Sequence, residues 1–263
     1  MKKILLLAFT LIMLCSTFSL NSYAETTAYN FYCKRNSEHK QPLLDSNMKF
    51  IESYNGYYVD RNYGDNNTEK VIYLTFDAGY ENGNIEKVLN VLKEQDVKAA
   101  FFILSNMADK NSELLIRMVE EGHTVCNHTS KHPDMTKCDS IDDFSAELSA
   151  LEKIYKEKTG NEISKYYRPP CGRFSEDNLK YANELGYKTI FWSFAYADWD
   201  NSKQMSASEA EEKILSNIHN GEIMLLHPTS STNASILEHV IVTLKSEGYR
   251  FGTLDELTGN SNG

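Results

Sequence analysis

From Val71 to the C-terminus, short apolar runs alternate with longer amphipathic segments, and this alternation restricts the folds open to the chain more than any other feature. Runs rich in β-branched and aromatic residues occupy 71–76, 99–104, 124–128, 165–168, 188–194, 222–227 and 249–254, the length and composition of buried strands. Helical periodicity fills 84–95, 112–121, 141–158, 176–185, 208–219 and 232–247. Three of these segments meet a glycine just before a strand, at Gly122, Gly186 and Gly248, where a helix end takes up a left-handed residue. Strands that return through helices lie parallel. Seven strands with six helices therefore predict an α/β fold whose parallel sheet closes, or nearly closes, into a barrel. The strand C-termini then share one rim, where such folds keep their reactive groups.

The first 70 residues do not follow this rhythm. Lys2-Lys3, an apolar run from Ile4 to Leu14 and Ser22-Tyr23-Ala24 read as a Sec-type signal peptide over 1–24, too short in its apolar part to span a bilayer. Lipid attachment at Cys15 is disfavoured by the bulk of Met13 and Leu14 before it. An exported, extracytoplasmic mature chain of 25–263 is expected, with no membrane span. Its formal charge goes from −10 to 25 − 37 = −12 once the two lysines are removed, which argues against nucleic acid as a partner. Residues 25–68 carry Tyr29, Phe31, Tyr32, Tyr54, Tyr57 and Tyr58 without periodicity. They predict an N-terminal arm, with one short helix, packed on a main domain of 69–263. Cys33, Cys126, Cys138 and Cys171 are expected to be mostly free thiols, with Cys126–Cys138 the favoured pair if one forms.

The rim positions carry the chemistry. The first strand ends in Asp77, followed by turn-forming Gly79 and Asn82-Gly83. The third runs into His128 and His132, spaced so that both imidazoles can reach one cation, with Pro133 stiffening the chain behind them. The fourth delivers Arg168-Pro169-Pro170-Cys171-Gly172, a fixed backbone able to aim N–H groups at a ligand. The fifth is followed by Asp198-Trp199, and the sixth delivers Leu225 and His227. His39, His123, His219 and His239 lack such positions and read as surface or helix residues. Cys126, two residues before His128, reads as a packing residue. Carboxylates, imidazoles and an arginine converging on one rim suggest a metal-assisted hydrolase.

Thr75-Phe76-Asp77, His128-x₃-His132-Pro133, Arg168-Pro-Pro-x-Gly172, Asp198-Trp199 and Leu225-x-His227 resemble, in order, the five motifs of the polysaccharide deacetylases, the NodB homology domain or carbohydrate esterase family 4. The form Thr-Phe-Asp-Ala-Gly-Tyr-Glu-Asn-Gly, with the arm before it, is most similar to a subgroup that deacetylates N-acetylmuramic acid in peptidoglycan on the way to muramic δ-lactam of the spore cortex. The resemblance implies a distorted (β/α)₇ barrel, NodB-like. It implies Asp77 as general base, His128 and His132 as metal ligands and Arg168 as the group holding the base ionised. Asp198 would tune His227, the acid that protonates the departing amine, and the Cys171 N–H would be an oxyanion donor. Tyr80, Asn82, Pro170, Gly172, Trp199 and Leu225 are expected to touch substrate.

The chain departs from the family pattern at Ala78, where most members carry an aspartate ligand, and at Cys171, where relatives commonly have a larger side chain. Two histidines alone imply weak binding of a divalent metal, with Zn²⁺ suited to the imidazoles and Asp77 a third ligand in reserve. The implied partner is the peptidoglycan glycan strand, met by a monomer in the cell wall or the forespore intermembrane space. Alternatives are a chitooligosaccharide or N-acetylglucosamine deacetylase of the same family, and a non-catalytic glycan-binding relative.

Overall fold

A computed structural model describes residues 27–259 apart from 37 and 65; the signal peptide read over 1–24 lies outside the described residues. The arm holds β1 (Ala28–Asn30), a 3₁₀ helix over Ser46–Tyr54 and β2 (Gly56–Tyr57). The barrel follows as β3 (Lys70–Ala78), α1 (Ile85–Glu94), β4 (Ala100–Ile103), α2 (Ser105–Lys110), α3 (Ser112–Glu120) and β5 (Thr124–Asn127). Then come α4 (Ile141–Thr159), β6 (Tyr166–Tyr167), β7 (Arg173–Ser175), α5 (Glu176–Glu184) and β8 (Lys188–Ile190). The chain ends in α6 (Ala207–Leu215), β9 (Glu222–Leu226), α7 (Ser231–Ser246), β10 (Tyr249–Phe251) and α8 (Leu254–Leu257).

The main sheet runs β10-β3-β4-β5-β6-β8-β2, with β9 also paired to β3, and every pairing in it is parallel. It curls as the expected distorted (β/α)₇ barrel. Between the end of β8 and β9 the described residues form just an isolated bridge, Phe194↔Met224, beside hydrogen bonds of Ser193 with Ile223, and an antiparallel bridge Val59↔Glu222 adds the arm there. The barrel is therefore thinnest at that seam. No helix among the described residues is long and apolar enough to cross a membrane.

Strand register explains the core. Side chains alternate between faces, so Ile72, Leu74 and Phe76 of β3 pack outward beneath α1, α3 and α7. Val71 and Tyr73 point inward with Ala100, Phe102, Cys126, Tyr166 and Ile223. Phe31, Met48, Ile51 and Tyr58 of the arm close over Phe174, Leu179 and Phe191.

Several expectations are corrected. The runs 165–168 and 188–194 form only two and three residues of strand, because Pro169 and Pro170 lack the N–H that a ladder needs. The expectation of free thiols, by contrast, holds for all four described cysteines, and the pair favoured if one formed is not made. Cys126 sits among the inward residues, whereas Cys138 packs beside Phe144, Tyr167 and Tyr187 on the outer face. The sheet separates them. His123 and His219 are buried rather than at the surface. His123 accepts the Ala99 N–H at 3.2 Å on Nδ1, and His219 meets Ser193 Oγ at 2.8 Å and the Glu222 carboxyl at 3.1 Å.

Candidate active site

The inward face of β3 continues from Val71 and Tyr73 through Thr75 to Asp77, which brings the carboxylate to the mouth of the barrel. Arg168, fully buried, meets it there. Its Nη1 donates to Asp77 Oδ1 at 2.8 Å, its Nη2 to Thr75 Oγ1 at 2.9 Å and Phe191 O at 3.1 Å, and its Nε to Ile190 O at 3.0 Å. The guanidinium also lies 4.0 Å over the Phe102 ring. A buried charge held this fully has one orientation. Burial pushes the Asp77 carboxyl up, but Arg168, then His128 and His227, outweigh it and hold the group below its ordinary value.

His128 donates its Nδ1–H to Arg168 O at 2.8 Å, since a carbonyl only accepts. Its Nε2 is left facing Asp77 Oδ2 at 3.5 Å. The His128 and His132 rings stand 5.0 Å apart at 69°. Burial pushes His128 down to about 4 and lowers His132 as well, so both are neutral near pH 7 with lone pairs to offer. Their loop is strained: Thr129 and His132 have φ of 74° and 60°, a conformation costing about 1–3 kcal/mol per residue. Asn127 and Thr129 hold it, Asn127 Oδ1 accepting the Thr129 N–H and Thr129 Oγ1 accepting the His132 N–H, each at 2.9 Å.

Opposite chemistry comes from Asp198, which is buried. His227 donates Nδ1–H to Asp198 Oδ1 at 2.7 Å and its backbone N–H to Oδ2 at 2.8 Å. Burial would lower the His227 imidazole, but the Asp198 hydrogen bond and charge more than offset this and raise it. Nearby, Cys171 is left-handed with φ 55°. Its turn is clamped from the arm, where the Phe31 N–H donates to Gly172 O at 2.8 Å.

Asp77, Tyr80, His128, His132, Cys171, Trp199, Leu225 and His227 line one open cleft of about 690 Å³. Pro170 and Gly172 are buried behind Cys171, and Asn82 donates to Thr229 O at 2.8 Å. These three shape the walls but do not line the cleft. Leu104, Trp192 and Tyr196 line it without having been singled out in the sequence. Among the described residues no group of three acidic, histidine or cysteine side chains is set to hold a metal ion. Two neutral imidazoles still fit a cation, with Asp77 Oδ2 the adjacent acceptor.

Such a rim defines a barrel hydrolase that sends water against an acyl carbon. The polysaccharide deacetylase family matches residues 64–190. The chain is 40% identical over 230 residues to the peptidoglycan-N-acetylmuramic acid deacetylase PdaA of Bacillus subtilis, covering 87% of this chain and 85% of that protein. It is 43% identical to an uncharacterised 30.6 kDa protein of Geobacillus stearothermophilus, over 85% of this chain and 83% of that one. The solved structure of B. subtilis PdaA, a family 4 carbohydrate esterase, matches with a TM-score of 0.83 at 38% identity, covering 89% and 98% of the two chains. The chain belongs to the polysaccharide deacetylases of carbohydrate esterase family 4, hydrolases of N-acetyl amide bonds.

Proposed function

We propose that the protein is exported and removes the N-acetyl group of N-acetylmuramic acid in peptidoglycan, the step that precedes muramic δ-lactam in spore cortex. The observation that carries the chemistry is the pairing of Asp77 with Arg168 and of His227 with Asp198 on one cleft. The muramic substrate is supported by the likeness to PdaA over most of both chains.

Asp77, ionised beside Arg168, takes a proton from water as the water oxygen bonds to the acetamide carbon. The carbonyl oxygen becomes an oxyanion, for which the Cys171 N–H is the donor. His227, protonated beside Asp198, gives its proton to the sugar nitrogen as the C–N bond breaks, releasing acetate and an amine. A divalent cation, with Zn²⁺ suited to two imidazoles, would be held by His128 and His132 and supplies Lewis-acid polarisation of the acetamide when bound. Tyr80, Trp199 and Leu225 would form the sugar-facing walls.

The test is acetate release from muramic-acid-containing glycan fragments and from chitin oligomers, by wild type and Asp77→Asn. We expect release from the muramic fragments only, and a loss of about 10³-fold in the variant, within the range for a general base, with the melting temperature kept. Equal turnover of chitin oligomers would refute the muramic assignment. Retained activity in the variant would refute the base.

A further inference from the structure

We propose that Asn233 is a positioning residue for the deacetylation, tying the Asp198 carboxylate and the His227 backbone to a single amide so that the imidazole keeps its other edge on the cleft. Asn233 lies in the first turn of α7 and is almost completely buried. Its Nδ2 donates to Asp198 Oδ2 at 2.6 Å and to His227 O at 3.1 Å. Both amide hydrogens are therefore used, one on each member of the pair. Its Oδ1 accepts from the Tyr196 hydroxyl, and Tyr196 itself lines the cleft.

The Asp198 carboxylate and the His227 carbonyl, which only accept, select the amide's orientation. Reversed, the amide would set its oxygen against both of these acceptors. With Asn233 in place, Asp198 Oδ1 takes only the imidazole while Oδ2 takes two N–H groups, so the carboxylate cannot turn. The helix end is built around the same purpose. Ser230 caps α7 by accepting the Asn233 N–H at 3.0 Å and donates to Gln204 Oε1. Gln204 Nε2 then holds the Asp198 carbonyl at 2.8 Å. Since Ser230 already provides the cap, the Asn233 side chain is free of that task. Its bonds go to the acid pair instead, as second partners of a functional histidine commonly do.

The inference rests on His227 acting as the acid, and the experiment separates the two. The full chain is prepared with Asn233→Leu, which keeps the branching but has no amide, and with Tyr196→Phe, which deletes only the hydroxyl behind it. kcat and KM for acetylated glycan are measured across pH, and the His227 imidazole is titrated directly by NMR. For Asn233→Leu we expect kcat to fall about 10–100-fold, KM to stay within about twofold, and the His227 titration to move together with the alkaline limb of the rate profile. Tyr196→Phe should move both in the same direction by less, and it carries the test if Asn233→Leu does not fold. Folded variants with wild-type kcat and an unmoved His227 titration would overturn the proposal. A titration that moves while the rate profile stays would support the positioning by Asn233 and overturn His227 as the acid.

Discussion

Asp77 and His227 are shifted in opposite directions by charged neighbours that oppose the effect of burial. Arg168 leads the groups that lower the Asp77 carboxyl and Asp198 leads those that raise the His227 imidazole, which under the proposed mechanism opens a pH window in which base and acid are both ready. The rate should rise as Asp77 ionises and fall as pH climbs past the raised His227 value. Asp198→Asn removes the charge that raises His227 and leaves burial, which lowers it. The alkaline limb must then move to lower pH, with activity near neutrality down about 100-fold; pH–rate profiles of the two proteins check this, and an unmoved limb would contradict the pairing. The principal residues were legible because a polar side chain at the end of an apolar strand stands out. The roles of Thr75, Asn127 and Asn233 were not, Thr75 having entered only as part of a motif, since each takes its meaning from a partner brought in by the fold, as when Arg168 reaches Thr75 across the barrel mouth.

At the scale of elements, the long runs and helices were readable and the short pieces were not. β3 was found within two residues of its ends because nine consecutive positions keep one pattern. β1 and β7 have three residues each, too few for any period, and their structure comes from pairing with each other. Ala28↔Ser175 through Asn30↔Arg173 sews the arm to the segment after the Cys171 turn. Gly172 is where that stitch meets the site. Its φ is +63°, and a Cβ there would come within 2.5 Å of the Trp192 ring and 3.3 Å of Phe31. Gly172→Ala should cost about 1–3 kcal/mol of stability and, by displacing the Cys171 N–H, lower kcat about 10²-fold or more, the size of one lost oxyanion donor. Thermal melts and kcat measured together decide the point. A variant that is destabilised yet keeps full kcat would remove the turn from the chemistry.

Across the whole molecule, the seam where the barrel edges barely meet holds an unusual group. Glu222 begins β9, pairs with Ile72 on β3 and bridges Val59 of the arm, so three parts of the chain converge on it. It is fully buried, its Oε2 accepts the His219 N–H at 3.2 Å with the His219 Nδ1 3.1 Å away, and its Oε1 has no hydrogen-bond partner among the described residues. Burial raises its carboxyl well above the ordinary range, only partly opposed by the His219 N–H and Arg35. A folded-state value above the unfolded one means that, as pH rises, the unfolded chain gives up this proton while the folded chain keeps it. Stability from this group is therefore present at low pH and declines as pH climbs from the ordinary carboxylate value through the raised one. Glu222→Gln keeps the shape and cannot ionise. Its melting temperature, followed from about pH 5 to about pH 9, should exceed that of wild type by a margin that widens with pH, about 2–4 °C for each kcal/mol recovered. Parallel curves would show that Glu222 keeps the same proton in both states, and the seam would then owe nothing to a neutral acid.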